Sequence, residues 1–216
     1  MTELVVRIPE ERLAVIIGTG GTVKKAIEAR SGAHLEIDRE DGSVRVTSPA
    51  EVDPWGAMKA RDVVVAVGRG FSPERAFRLF QGENYLSVLA MKEISGKRTK
   101  DAMRRLRARL IGERGSARSR LEELSGCSVS VYGSAVALIG TAEQLERGEH
   151  GIRLLLRGSE HGAVYSYLER ARLRAFTAPE PGSSGSFGPT RRGRRGDPDD
   201  EGEDEDAADD HELHVA

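Results

Sequence analysis

Cysteine is almost absent from this sequence, since Cys127 is the only one in 216 residues. One thiol can form neither an internal disulfide nor a cysteine-based metal cluster, so we expect a reducing, cytoplasmic compartment and no redox role. Apolar runs are also short, and none approaches the roughly 20 residues that span a bilayer. The first seven residues lack the charged and then apolar pattern of a signal peptide. We therefore expect a soluble intracellular protein with no membrane partner.

Residues suited to catalysis or metal binding are scattered along the chain. Of the five histidines, two lie near the C-terminus, and the other three, His34, His150 and His161, lack metal-ligand spacing. Acidic pairs such as Glu122-Glu123 are adjacent in sequence, and adjacent residues of a helix do not face one another. No nucleophile has a plausible neighbouring base. The sequence therefore predicts no enzyme, no metal and no cofactor.

Charge is unevenly distributed between the body of the chain and its end. Residues 177–216 contain four Arg and twelve Asp or Glu, which leaves 29 basic and 23 acidic residues in the rest. The body is therefore near +6 and the tail near −8. A moderately basic body suits a polyanionic partner, although an ordinary solvated surface can carry the same excess.

The chain repeats itself. The segment VIIGTGGTVKKAIEARSG (Val15–Gly32) aligns with RLIGERGSARSRLEELSG (Arg109–Gly126), and Gly18, Gly21 and Gly32 of the first each recur 94 residues later. Arg69-Gly70 corresponds to Arg157-Gly158 at an offset of 88, so the second copy is six residues shorter in between. A shortened loop would absorb that difference.

Each copy shows the same order of predicted elements. The first strands are predicted at Glu3–Ile8 and Tyr85–Met91, although the second run could equally be part of a helix. A helix, the glycine loop, a second helix, two strands and a longer helix follow in each copy. The Asp-Gly pair ending at Gly42 predicts a hairpin, and Asp53 with Pro54 predicts the start of the longer helix. The pattern is β-α-α-β-β-α.

An extra amphipathic helix ends each copy, and we expect both to pack the copies together. These helices are predicted at Ser72–Gln81 and Glu160–Arg174. From residue 177 the chain turns to Pro, Gly and Ser, then to an arginine-glycine stretch and an acidic run, which cannot form a core. We therefore divide the chain into residues 1–82, residues 83–176 and a disordered tail at 177–216.

The glycine loops predict a grip on phosphate. Glycine lacks Cβ, so backbone can approach an anion closely, and the next helix directs free N–H groups towards it. Neither loop is followed by Lys-Ser or Lys-Thr, which excludes a P-loop, and the dinucleotide pattern lacks its third glycine. In the β-α-α-β-β-α setting, Ile-Gly-x-x-Gly is the signature of a type I KH domain. The sequence thus predicts an α+β protein with two tandem type I KH domains that bind single-stranded RNA.

Two sets of residues are predicted to contact RNA. The first comprises the loop Gly18, Thr19, Gly20 and Gly21, the nearby Lys24 and Lys25, and the apolar groove residues Ile16, Ile17, Val23 and Ile37. The second comprises the loop Gly112, Glu113, Arg114 and Gly115, the nearby Arg118 and Arg120, the upstream Arg104, Arg105, Arg107 and Arg109, and the apolar Ile111, Val129 and Val131. An apolar floor accepts unstacked bases, which only single strands offer. Because the first loop is uncharged and the second lies among arginines, we expect the second to bind more tightly.

A narrower resemblance lies outside the generic KH motif. The segments ARDVVVAVGRGFSPERAFRLF (Ala60–Phe80) and LEELSGCSVSVYGSAVALIG (Leu121–Gly140) resemble the archaeal partner-of-Nob family, which is akin to the eukaryotic Dim and Krr proteins. The resemblance covers nearly all of residues 3–174. It implies binding near the 3′ end of small-subunit ribosomal RNA in the maturing particle, alongside the Nob endonuclease that makes the cut.

Other functions remain compatible with the KH pattern. The chain could act in transcription elongation or RNA degradation, or it could be a protein scaffold whose KH folds no longer bind RNA. Exosome cap proteins pair KH with an S1 barrel, and elongation factors use the other KH topology. Neither a barrel nor the inverted strand order is visible in this sequence.

Overall fold

A computed structural model describes residues 2–49 and 54–177. The first half of the chain forms β1 (Thr2–Arg7), α1 (Glu10–Ile17), α2 (Thr22–Ser31), β2 (His34–Ile37), β3 (Ser43–Ser48), α3 (Pro54–Gly68) and α4 (Pro73–Ala76). The second half forms β4 (Tyr85–Ala90), α5 (Met91–Ser95), α6 (Lys100–Ile111), α7 (Ser116–Ser125), β5 (Ser128–Tyr132), β6 (Ala135–Gly140), α8 (Ala142–Arg157) and α9 (His161–Thr177). One 3₁₀ turn lies in each glycine loop, and another follows α4.

The repeated β-α-α-β-β-α order is confirmed, with one short helix added. Tyr85–Ala90 is a strand, and the apolar run continues at Met91 into the short helix α5. Gly32 and Gly126 end α2 and α7 in left-handed conformations, as predicted from their place after Ser. Pro54 is the first described residue of α3, whereas the predicted N-cap at Asp53 and the predicted tail lie outside the described residues.

Two antiparallel three-stranded sheets have the same strand order, β1-β3-β2 and β4-β6-β5. In both, the strand that comes last in sequence takes the centre. The register pairs Val6 with Val44 in the first sheet and Leu89 with Val136 in the second. This arrangement places β2 and β5 at sheet edges beside the helices that carry the glycine loops. The predicted α+β class and type I KH topology are therefore confirmed.

The two sheets differ in what covers them. Strand β1 alternates, with Val5 59% exposed, so one face of the first sheet is open to solvent. Every residue of β6 is buried. Its Ala137 and Ile139 belong to the core of the first domain, with Phe71 and Leu79, while Val136 and Leu138 belong to the second domain's own core. The second sheet is therefore packed between its own helices and the first domain.

The extra segment after α3 joins the two domains, as expected. It is a shorter helix than predicted, because α4 ends at Ala76 and a 3₁₀ turn follows. From this segment Arg75 forms an ion pair with Glu122 of α7, and Arg78 donates to Ser128 Oγ at 2.5 Å. Gly70 allows the close approach of Ser130, whose Oγ would lie 2.9 Å from an added Cβ.

The second extra helix, α9, does not pack the domains together, so that prediction was wrong. It packs on α7 and α8 of its own domain. Arg120 of α7 pairs with Glu169, and Arg172 donates to the Glu123 carbonyl. The physical reason is its apolar face, where Val164 and Leu168 are fully buried in the second core. Helix α9 therefore belongs to the helices that enclose the core of the second domain.

Among the described residues, no helix is long and apolar enough to cross a membrane. Cys127 is buried in the second core, and burial raises the pKa of its thiol to about 11. The thiol is therefore protonated at neutral pH and acts there as a small apolar side chain.

Candidate nucleic-acid interface

The two glycine loops have the same backbone geometry. Gly18 has φ 71° and ψ 173°, and Gly112 has φ 73° and ψ 177°. Each loop then makes one 3₁₀ turn, closed by hydrogen bonds from Gly21 N to Gly18 O at 3.2 Å and from Gly115 N to Gly112 O at 3.3 Å. The sequence repeat is thus a structural repeat at the loops.

The two glycines of each loop have different physical roles. Gly18 and Gly112 occupy a backbone region that is essentially restricted to glycine. A Cβ at Gly112 would also lie 2.6 Å from Ala117 N, and one at Gly18 would lie 2.9 Å from Val23 N. By contrast, nothing lies within 4 Å of a Cβ added at Gly21 or Gly115. The first glycine therefore allows the following helix to pack, and the second leaves open space at its N-terminus.

That open space adjoins unpaired backbone donors. Gly21 and Gly115 are the N-caps of α2 and α7, and no side chain of the described structure caps either helix. The N–H groups of Thr22 and Ser116 bond back to carbonyls within the loops. The other amides in the first turns of α2 and α7 have no partner within their own helix. They are left for an anion, which the helix dipole also favours.

The second loop holds a strained residue where the first has glycine. Arg114 has φ 50°, and it is the one residue other than glycine with positive φ in the described part of the chain. Gly20 occupies the same place in the first loop, with φ 60°. A left-handed residue with a side chain costs roughly 1–2 kcal/mol. Arg114 is also exposed, so stability is sacrificed at a position that presents a guanidinium beside the open amides.

We predict that Arg114→Gly changes stability and binding in opposite directions. Removing the strain should raise the free energy of unfolding by up to about 1 kcal/mol. Losing the guanidinium should weaken RNA binding by about tenfold and lower the salt dependence of affinity. Urea denaturation and fluorescence anisotropy measure the two effects. A variant that loses both stability and affinity would contradict this account of Arg114.

The arginines around the second loop fall into two groups. Arg109 donates to the Gly158 and Ser159 carbonyls, and Arg107 donates to the Gly133 carbonyl at 2.8 Å, so both tie α6 to neighbouring turns. Arg120 is also paired, with Glu123 and Glu169. These three predicted RNA contacts have structural partners in the folded protein.

The remaining arginines are available to an anion. No hydrogen bond or ion pair within the described residues involves Arg104, Arg105 or Arg114, and Arg118 Nε is shielded from solvent without a partner. A shielded donor with no partner costs about 1–3 kcal/mol. Glu113 is exposed beside Arg114, with no partner among the described residues. The balance of unpaired charge at this loop is positive.

The surroundings of the first loop are less favourable to an anion. Lys24 lies 3.8 Å from Glu28, whereas Lys25 and Arg30 of α2 have no ion pair among the described residues, and Arg30 lies over the Phe77 ring. The turn between β2 and β3 carries Asp38, Glu40 and Asp41, and a hydrogen bond from Ser43 lowers the pKa of Asp41. The matching turn between β5 and β6 is Gly133-Ser134, without charge. The geometry of the loops is therefore equal, but their electrostatics are not.

Most predicted groove residues lie at the surface, and two do not. Ile17, Val23 and Ile37 are half-buried in the first domain, as are Ile111 and Val131 in the second. Ile16 is fully buried and Val129 is 1% exposed, so both belong to the cores and cannot form a groove floor. Val129 lies on the same face of β5 as Val131, two residues further on, where the strand reaches the surface.

Two glutamates of the helices, missed by sequence reasoning, organise the groove edges. Glu28 Oε1 accepts the Leu35 N–H at 2.9 Å, and Glu122 Oε1 accepts the Val129 N–H at 2.6 Å. Glu122 follows Glu28 by 94 residues, and Val129 follows Leu35 by the same offset. The sequence repeat therefore already indicated that the two glutamates are equivalent. Along an edge strand, the backbone N–H and C=O groups of every second residue face away from the sheet. The next residues of β2 and β5 whose N–H and C=O groups face outward are therefore Ile37 and Val131. Each groove therefore offers one backbone donor and one acceptor beside its apolar side chain.

Among the described residues, no group of three or more histidines, cysteines or carboxylates could hold a metal ion.

Comparisons with known proteins match this architecture. Residues 85–173 match the model of a eukaryotic type KH domain, type I, and residues 3–53 match a KH domain. A KH domain-containing protein of Methanocaldococcus jannaschii is 41% identical over 169 residues, 78% of this chain and 73% of that protein.

Solved structures match as well. Dim2p from Pyrococcus horikoshii is 48% identical, with a TM-score of 0.74 over 79% of this chain and 99% of that chain. A chain in the P. horikoshii complex of a/eIF2alpha, aDim2p and rRNA is also 48% identical, with a TM-score of 0.75 over 80% of this chain and 94% of that chain. This chain therefore belongs to the family of tandem KH-domain proteins that includes P. horikoshii Dim2p.

Proposed function

We propose that this protein binds single-stranded RNA through its two KH domains, with the second glycine loop as the stronger contact. The observation that carries the proposal is the pairing of uncapped amides at α7 with the strained, exposed Arg114. Backbone amides and a guanidinium bind phosphate without reading the base. The adjoining edge at Val131 supplies an apolar contact and backbone hydrogen bonds for an unstacked base.

The RNA is the 3′ region of small-subunit ribosomal RNA during processing and subunit assembly. The relative from P. horikoshii has been crystallised in a complex with rRNA, and family membership at 48% identity supports the same class of ligand here. The resemblance to the partner-of-Nob family adds the Nob endonuclease and the pre-ribosomal particle, in the cytoplasm, as partners. In this account the protein positions the RNA and the endonuclease cuts it.

The test is binding to RNA fragments of equal length. A 3′ fragment of small-subunit rRNA should bind more tightly than its scrambled sequence, and a duplex of the same sequence should bind weakly. A KH module holds about four nucleotides, so the logarithm of affinity should fall with the logarithm of salt with a slope of about −2 to −3 for one occupied domain. Equal affinity for the duplex and the single strand would overturn the proposal. Equal affinity for the scrambled fragment would overturn only the assignment of the RNA to rRNA, and the proposed binding of single-stranded RNA would stand.

A further inference from the structure

A cationic cleft lies in the second domain, apart from the glycine loop and its groove. It runs between the first turns of α8 and the end of α9 and has a volume of about 580 Å³. Arg147, Arg170, Arg174 and Tyr167 line it, together with Glu143 and Glu146. The volume is within the range of clefts that hold a small molecule or a nucleotide. The side chains combine guanidinium forks with an aromatic ring.

Arg147 is unusual among the residues that line the cleft. Its side chain is 17% exposed, and its Nε is shielded without a hydrogen-bond partner in the described structure. The nearest carboxylate oxygen, on Glu143, is 3.9 Å away, beyond hydrogen-bond distance, and the Glu143 side chain is 81% exposed. A buried donor that is left unpaired is unfavourable unless a ligand or water completes it. Because the Nε is shielded, the terminal nitrogens of Arg147 are the groups that an anion in the cleft would meet.

The other lining residues suit a nucleotide. Arg170 bonds its own helix through Nε, to the Ser166 carbonyl at 3.1 Å, and this bond leaves its terminal nitrogens for a second partner. The Tyr167 ring is held by His150, with ring centroids 4.5 Å apart. A fixed aromatic ring next to guanidinium groups is the combination that binds single-stranded nucleic acid, with the base on the ring and the phosphate on arginine.

The fold places this cleft between two helices that pack against α7, the helix that follows the second glycine loop. Helix α7 starts at Ser116, after the loop, and its ten residues extend about 15 Å. Helix α9 crosses its far end, where Arg172 bonds the Glu123 carbonyl. Both helices that line the cleft therefore contact the helix that follows the second glycine loop, so the cleft and the loop belong to the same domain.

We propose that this cleft binds a nucleotide of the same RNA strand, outside the KH groove, through Arg147, Arg170 and Tyr167. The proposal rests on the RNA-binding function proposed above and extends the contacted length of RNA. Phosphate lies on the two arginines, and the base stacks on Tyr167. An RNA that fills only the groove does not reach the cleft.

Two RNAs and matched variants test the proposal. The short RNA has about five nucleotides, enough for one KH groove, and the long RNA has the same sequence within about fifteen. Arg147→Gln and Arg170→Gln should each weaken binding of the long RNA about fivefold and reduce its salt slope by about 0.7, with the short RNA unchanged. Tyr167→Leu should weaken the long RNA by about tenfold. Arg153→Gln is the control, because it removes one positive charge from α8 outside the cleft.

The outcomes separate this proposal from the function on which it rests. If the cleft variants affect the long RNA no more than Arg153→Gln does, the cleft holds no RNA and the inference fails. Equal losses on both RNAs would also overturn it, because the effect would then be general. Arg170→Gln separates a loss of binding from a loss of folding. Arg170 is exposed, so the midpoint of thermal denaturation of this variant should not change. Gly115→Asp tests the groove itself, and unchanged binding of both RNAs by that variant would reject the proposed function instead.

Discussion

Gly115→Asp lowers the affinity for single-stranded RNA by about 100-fold, whereas Gly21→Asp lowers it by about tenfold or less. Both positions have open space for a side chain, so a carboxylate fits and faces the phosphate site. Two like charges about 4 Å apart repel by about 4 kcal/mol at an effective dielectric constant of 20, and salt screening reduces that value. The effect is larger in the second loop, where uncapped amides act together with Arg114. Fluorescence anisotropy at fixed ionic strength measures both affinities.

Asparagine supplies the matched control at each position. Asn has the shape of Asp and tolerates the same left-handed conformation, with φ 79° at Gly21 and 84° at Gly115, but carries no charge. Gly115→Asn should therefore retain most of the affinity that Gly115→Asp loses. Similar losses for Asp and Asn would mean that the side chain blocks the site sterically. Equal losses at the two loops would contradict the inequality between the domains.

Gly112→Ala destabilises the protein by on the order of 3 kcal/mol or more, the largest stability effect expected at either loop. Two causes add together: the backbone region is essentially restricted to glycine, and the new Cβ would lie 2.6 Å from Ala117 N and 2.7 Å from Ala117 Cβ. Backbone cannot move aside as a flexible side chain does. Urea denaturation monitored by circular dichroism measures the loss.

Gly115→Ala is the comparison three residues away. Nothing lies within 4 Å of its added Cβ, so only the left-handed conformation costs free energy, roughly 1–2 kcal/mol. Alanine adds no charge, so RNA binding should persist in the folded fraction. If Gly112→Ala were no less stable than Gly115→Ala, the division into a packing glycine and a binding glycine would be wrong.

The sequence predicted the fold well because local signals and the repeat agreed. Each local signal determines the conformation of only a few residues. The signals are the repeated glycines, the hairpin turn at Gly42 and the helix start at Pro54, and the structure confirms the helices and strands around them. Contacts between the domains could not be derived in this way. The run from Ala135 to Gly140 is apolar without alternation, which is typical of a strand covered on both faces, but nothing local identifies the first domain as the cover.

The site was only partly predictable for a similar reason. The loops and their unequal charge can be read from the chain, whereas the burial of Val129 depends on how β5 meets α7, and the pairing of Arg120 depends on α9. The strain at Arg114 follows from the turn that the loop adopts, so the sequence of the second loop by itself does not indicate it. Comparison of the copies could have shown it, because glycine stands at the same place in the first loop.

Amide chemical-shift mapping tests the central claim most directly, because each loop has its own backbone signals. A single-stranded RNA is added to the ¹⁵N-labelled protein, and shifts are followed at the amides of 112–118 and 18–24. We expect early and large changes at 112–118, with changes at 18–24 only at higher RNA concentration. Changes confined to 18–24, or absent from both loops while RNA binds, would contradict it.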